Sequence, residues 1–287
     1  MASAEPTVKA AAAAAFLGAW CAVLLLAACS SDEAAAPAPQ ESAASEPDVV
    51  WIIDHETGDL SQWDGKRTSR KADAVITAEH AHGGKYALAA TIYQSRKAGN
   101  AVRMRIEGRQ WAPPTSPENL PDRAYYSVWY LIPQPFVGNN NILQWKQAEL
   151  VDDLQHKRLT LSVSIRDGRY LALRTRIDDR GEWVKPSIGL DTSEIPVPFG
   201  RWFHLECLYE WNKTPDGRVI CWQDEVEILR AEGIITERDL PWRGYPRQCT
   251  VNNYGISPQD PRTYTIYIDD VVVSRTRVGV GPPAQSR

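Results

Sequence analysis

The sequence predicts an all-β fold, an antiparallel β-sandwich or jelly roll, on three observations. In Arg201–Asp224, Phe203, Leu205, Cys207, Tyr209 and Trp211 share one face of a period-two pattern. His204, Glu206 and Glu210 take the other, as in a strand with one side in a core. Second, the turn formers of 212–217 lead into another alternating run, Val219–Gln223, which makes the stretch a β-hairpin. With Trp211 facing Gly217, Cys207 lies opposite Cys221 on the buried side. Third, many short strands are separated by Gly, Pro, Asn and Asp, and no helical period of useful length occurs.

In chain order, Lys9 precedes an Ala-rich apolar run, 10–28, that ends in small residues, the pattern of an export signal. Leu26-Ala27-Ala28-Cys29 resembles the bacterial lipobox, which implies lipidation at Cys29, attachment to the membrane through that lipid, and an outer-membrane or cell-surface location. The alternative for this run is an uncleaved membrane anchor. Residues 29–48 hold Ala, Pro, Ser and acids with no large apolar side chain, and read as a flexible tether. The folded domain is expected over 49–278, with a disordered tail at 279–287. Its strands are expected at 49–54, 74–79, 86–93, 101–107, 125–132, 141–149, in a hairpin over 159–177, then in the hairpin above, at 253–257 and at 264–274.

With 287 residues, 43% hydrophobic and 24% charged, the chain can bury a full core in one domain. A net charge of -4 without a dense basic run excludes a nucleic-acid binder as the first reading, and a monomer is expected. Eleven Trp and eleven Tyr against four Phe suit the wet grooves of binding proteins, but the same rings are good strand residues, and most are assigned to the strands themselves.

Three regions have polar faces that go together. Arg103, Arg105 and Glu107 alternate with Val102, Met104 and Ile106; Gln144 and Lys146 alternate with Leu143 and Trp145. Around Asp167-Gly168, Leu159, Leu161, Val163 and Ile165 match Leu171, Leu173 and Ile177, leaving Thr160, Ser162, Ser164, Arg166, Tyr170, Arg174 and Arg176 outside. In one sheet these side chains would form a surface of Arg, Lys, Gln, Ser and Tyr. Guanidinium forks bind carboxylates and sulfates bidentately, so an acidic polymer would fit that surface. The plain alternative is an ordinary solvated sheet face.

Arg105-Ile-Glu107-Gly-Arg109 is similar to the R-x-E-x-R strand of jelly-roll polysaccharide lyases of the alginate-lyase kind, and Gln144-Trp-Lys146 sits where that group has Q-x-H. ETGDLSQW, HGGKYAL, YYSVWYLIP, ILQWK, RWFHLE and IYIDDVVVS look like the broader heparin-lyase-like, concanavalin A-like sandwich group, in order and spacing over most of 49–274. The resemblance implies β-elimination at a uronic acid. Arg105 and Gln144 would neutralise the carboxylate, and Arg103, Arg109 and Arg174 would help hold the polymer. Lys146 stands at the histidine of Q-x-H, and a lysine serves as base when burial or a neighbouring cation lowers its pKa. The group's Y-x-K-x-G-x-Y-x-Q aligns on 251–259, which puts Asn253 at the Lys and Ser257 at the catalytic Tyr. Tyr254 is adjacent but expected to point the other way, so Tyr254, Tyr170 and Tyr126 remain the candidate hydroxyls. A divergent lyase and a non-catalytic carbohydrate-binding module of the same fold are the two leading readings. A structural envelope protein is a third.

No E-x-D-x-x-E strand and no nucleophile elbow occur, and His80 and His82 read as turn residues with no third ligand at zinc spacing. Glu56, near the first strand, and Asp269 and Asp270, in the last, could meet at one edge and hold a structural Ca²⁺. Cys207 and Cys221 form either a cross-strand disulfide or a pair of buried thiols, and Cys249 is left over.

Overall fold

The computed structural model describes residues 47–93, 101–107, 120–151, 154–179, 188–239, 244–255 and 262–281, and these are all β or loop. The strands are β1 (Val49–Ile53), β2 (Gly65–Thr68), β3 (Ala72–Thr77), β4 (Ala87–Ile92), β5 (Ala101–Glu107), β6 (Arg123–Leu131), β7 (Asn140–Val151) and β8 (Leu154–Arg166). They continue with β9 (Tyr170–Asp179), β10 (Ile188–Pro196), β11 (Trp202–Glu210), β12 (Gly217–Gln223), β13 (Val226–Ile234), β14 (Gly244–Gly255) and β15 (Tyr264–Ser274). One sheet has eight strands, β13-β12-β11-β6-β15-β4-β3 with β1 on β15; the other has seven, β10-β9-β8-β7-β14-β5-β2. The predicted sandwich is the observed one.

Alternation explains most of these elements. Phe203, Leu205, Cys207 and Tyr209 of β11 are all fully buried, and Cys207 faces Cys221 in the register read from the sequence. In the other sheet, Val102 and Met104 of β5, Leu143 and Trp145 of β7, and Leu159, Leu161, Val163 and Ile165 of β8 are buried to the same degree. An aromatic stack fills the space between the sheets. Trp145 of β7 lies 4.6 Å from Tyr209 of β11, Tyr209 lies 4.6 Å from Trp211, and Tyr126 meets Trp145 edge-on at 5.5 Å. The β8–β9 turn needs its Asp167-Gly168: both have positive φ, 50° and 66°, and a Cβ on Gly168 would strike the Phe136 carbonyl.

Several expectations change. The sequence shows a strand at 253–257, but β14 runs Gly244–Gly255 through the middle of its sheet, where Pro246 and polar Gln248, Thr250, Asn252 and Asn253 mask the pattern. Strands β2, β10 and β13 were not expected. The first is four residues long, and the others are largely exposed, at or beside a sheet edge, with little apolar alternation. Ile177, matched to the core side, is 40% exposed at the end of β9. His204 and Glu206, on the face away from the core, are also fully buried, because Arg277, Val278 and Gly279 reach Glu206. Gly279 therefore belongs to the fold and not to a free tail. Cys207, Cys221 and Cys249 are buried free thiols, so the disulfide alternative is not the one observed.

Candidate active site

The three polar faces do share a sheet. In an antiparallel pair, directly opposed residues point to the same side with Cβ atoms about 4.5–5.5 Å apart. Register then builds one row across the seven-stranded sheet: Gly65, Arg105, Thr250, Gln144, Ser162 and Arg174. A second row, two residues along, contains Glu107, Gln248, Lys146, Thr160 and Arg176. A third, on the opposite side of the first, pairs Arg67 with Arg103 and Arg103 with Asn252. The side chains beneath belong to the core, so these rows form the outer face. Arg105, Gln144, Lys146 and Arg174 are half-buried there.

Backbone space sets the position of Arg105. A Cβ on Gly65 would lie 2.9 Å from the Arg105 guanidinium carbon, so the glycine gives that group its seat over β2. Arg103 stacks on Tyr254, 4.5 Å from the ring centre. Burial holds its pKa below the usual guanidinium range; Tyr254 opposes this, and the like charges of Arg67 and Arg158 add to it. A chain with net charge -4 has therefore collected several cations on one sheet face.

Tyr254 points opposite to its neighbour Asn253, as expected, and it is this side that carries Arg103 and Arg105. It stands six residues along β14 from the residue opposite Lys146, about 20 Å at strand rise, and so is not beside that amine. Tyr170 is equally remote, six residues along β9 from Arg176 in the Lys146 row, and packs with Arg169. Tyr126 lies between the sheets, and burial raises its phenol pKa strongly. Register therefore puts Arg105, Gln144 and Arg174 in one row across the sheet, Lys146 and Arg176 in the next row on one side, and Arg103 and Tyr254 on the other side.

Asn253, aligned on the Lys of the lyase motif, turns into the core. Its Nδ2 donates to the carbonyls of Ala90 and Tyr264, and its Oδ1 accepts from Asn140. Asn252 and Thr250 take the outer face instead. Both were missed, although their alternation with core residues Cys249 and Val251 was there to read. Neither the Thr250 hydroxyl nor the Asn252 Oδ1 has a hydrogen-bond partner. The Glu107 backbone is in place, but its side chain, together with Arg109, Ser257 and Cys29, lies outside the described residues.

The acids grouped for calcium do not meet. Glu56 accepts the N–H groups of Lys85 and Tyr86, at 2.8 and 2.9 Å. Asp269 accepts those of His82 and Gly83 and lies 3.3 Å from His55, while Asp270 lies 2.7 Å from His82 Nδ1. Glu56, Asp269 and Asp270 do not bring ligand atoms within 4.8 Å of one another. The aspartates take imidazole and backbone N–H partners and Glu56 takes the N–H groups of another loop, so the three carboxylates do not form one cluster of ligand atoms.

The model of the polysaccharide lyase family matches residues 55–272, most of the domain. The chain belongs to the polysaccharide lyase family. Solved structures agree on the fold of this lyase. An endo-β-1,4-glucuronan lyase from the fungus Trichoderma reesei superposes with a TM-score of 0.59 at 16% identity, covering 79% of this chain and 96% of that one. Alginate lyase vAL-1 from a Chlorella virus gives 0.55 at 13% identity, with 79% and 100% covered. A PL-14 alginate lyase from Aplysia kurodai gives 0.54 at 10% identity, with 78% and 98% covered. No curated protein matches the lyase by sequence.

Proposed function

We propose that this polysaccharide lyase cleaves a uronic-acid polymer by β-elimination on the outer face of its seven-stranded sheet. The observation that carries the reading is the row Arg105–Thr250–Gln144–Ser162–Arg174 with Lys146 one step, about 7 Å, along its strand from Gln144. Arg105 and Gln144 bind the uronate carboxylate, by charge and by amide N–H. This stabilises the enolate-like charge that forms when the proton on the adjacent carbon leaves. Lys146, as its free amine, takes that proton. The C–H electron pair becomes the new C=C bond as the neighbouring glycosidic C–O bond breaks. The departing oxygen needs one proton, and the lysine ammonium just formed carries one. A single side chain can thus serve both steps when the proton and the leaving oxygen lie on one side of the ring. Arg103, Arg174 and Arg176, with Tyr170 and Tyr254 further out, hold the flanking sugars, and Glu107 and Arg109 are further substrate-binding candidates. The similar structures, a glucuronan lyase and alginate lyases, support a substrate of this class.

The test is incubation of protein lacking residues 1–29 with alginate, glucuronan, heparin, hyaluronan and pectate, following absorbance of the unsaturated uronate. One polymer should give a rise. Lys146→Ala should lower kcat about 10³-fold with KM little changed, and Arg105→Ala about 10²-fold. No product from any polymer, together with retardation in a gel containing one of them, would replace the reading with a carbohydrate-binding module.

We further propose that Cys29 carries a lipid and that the domain works at the membrane surface. The first described strand, β1, belongs to the eight-stranded sheet. Cys29→Ser should move the protein from the membrane fraction to the soluble one; unchanged fractionation would refute the anchor.

A further inference from the structure

The eight-stranded sheet has its own cluster of chemistry-bearing side chains on its outer face. His204 and Glu206 are two residues apart on β11, and Glu225 stands in the turn between β12 and β13, where Asp224 and Glu225 both have positive φ, 47° and 70°. Nitrogen of His204 and one carboxylate oxygen from each glutamate lie within 4.8 Å of one another. His204 and Glu206 are fully buried, and Glu225 is 39% exposed at the rim.

Two features distinguish this cluster from an ordinary ion pair. The first is an orphaned nitrogen. His204 Nε2 is 2.7 Å from the Ser127 hydroxyl, but Nδ1 has no hydrogen-bond partner, and the Glu225 Oε1 it faces is 4.0 Å away. A buried nitrogen left unmet is costly, and an ion would meet it. The second is charge. Arg277 donates from Nε to Glu206 at 3.1 Å and from Nη2 to the second oxygen of Glu225 at 2.7 Å. One guanidinium against two carboxylates leaves one negative charge.

We propose that His204, Glu206 and Glu225 bind a divalent transition ion of the zinc class, at a site separate from the polymer-cleaving face. An imidazole nitrogen with carboxylate oxygens suits zinc, cobalt or nickel, whereas calcium and magnesium take oxygen shells. Bonds of about 2.0–2.1 Å on either side of an ion span the gap between Nδ1 and the Glu225 oxygen, and the exposed turn lets Glu225 adjust. With Nδ1 on the metal, Nε2–H donates to Ser127, the kind of outer contact that fixes the tautomer of a ligating histidine. Glu206 also accepts the N–H of Val278, so the ion would tie β11, the β12–β13 turn and the C-terminal segment together.

The experiment is titration of tag-free, chelator-stripped protein with Co²⁺, followed by its visible d–d absorption and by calorimetry, with Zn²⁺ and Ca²⁺ as competitors. One equivalent of Co²⁺ should bind, Zn²⁺ should displace it and raise the melting temperature, and Ca²⁺ should do neither. Glu225→Gln, in an exposed turn that does not threaten folding, should weaken binding at least about tenfold, as should His204→Gln. His80→Asn, at an exposed histidine, should not. No saturable binding, equal binding by wild type and both cluster variants, or displacement by Ca²⁺ as readily as by Zn²⁺ would overturn the proposal.

Discussion

At the residue scale, the arginine over Gly65 shows how a side chain with many rotamers acquires one position. The guanidinium rests where a Cβ would be, so Gly65→Ala should displace Arg105 without disturbing the core. Folding stability is expected to stay within about 0.5 kcal/mol, as for a change away from the core, while turnover drops about tenfold or more. Urea unfolding beside steady-state kinetics separates the two effects. Thr250 tests the opposite balance. Its hydroxyl is buried without a partner between Arg105 and Gln144. Thr250→Val should therefore raise stability by about 1 kcal/mol. It should also lower kcat, because one donor beside the carboxylate site is gone, a trade of activity for stability. A variant that loses stability would show that the hydroxyl has a partner in solution.

At the element scale, β14 decides the site. It lies between β5 and β7, so it sets the spacing of Arg105 from Gln144, and its alternation sends Thr250 and Asn252 outward and Asn253 inward. Asn253 joins this strand to the opposite sheet through the carbonyl of Ala90 in β4 and that of Tyr264 in β15. Replacing it with Ala strands two buried carbonyls and the Asn140 amide, and the expected loss is about 3 kcal/mol in chemical denaturation. Asn253→Ala unfolding like wild type would mean that water takes over these bonds. The same strand was the least legible in the sequence. Pro246, a run of polar residues and shifts of register against β7 hide its period, whereas β11 and the 159–165 stretch of β8 declare themselves by alternation.

At the scale of the whole molecule, charge is distributed unevenly. The chain is acidic overall, but its seven-stranded sheet presents Arg67, Arg103, Arg105, Lys146, Arg158, Arg174 and Arg176. A polyanion should be drawn to that face at long range, so KM for the cleaved polymer should rise steeply with salt while kcat changes little. A salt-independent KM would argue for recognition by neutral contacts.

The sequence by itself determined the class of fold, the β11–β12 hairpin with its facing cysteines, and which residues of β5, β7 and β8 look outward. These follow from the two-residue period of a strand, a local property. It also singled out Arg105, Gln144 and Lys146 through their resemblance to lyase strands. Only the tertiary structure decided which of these residues meet. Register across seven strands aligned Arg105 with Gln144 and Arg174, and set Tyr254 and Tyr170 far from Lys146. It also buried His204 and Glu206 under a C-terminal segment more than 70 residues away in the chain. Such contacts depend on strand order and on what packs over a polar face, and neither leaves a period for a single sequence to display.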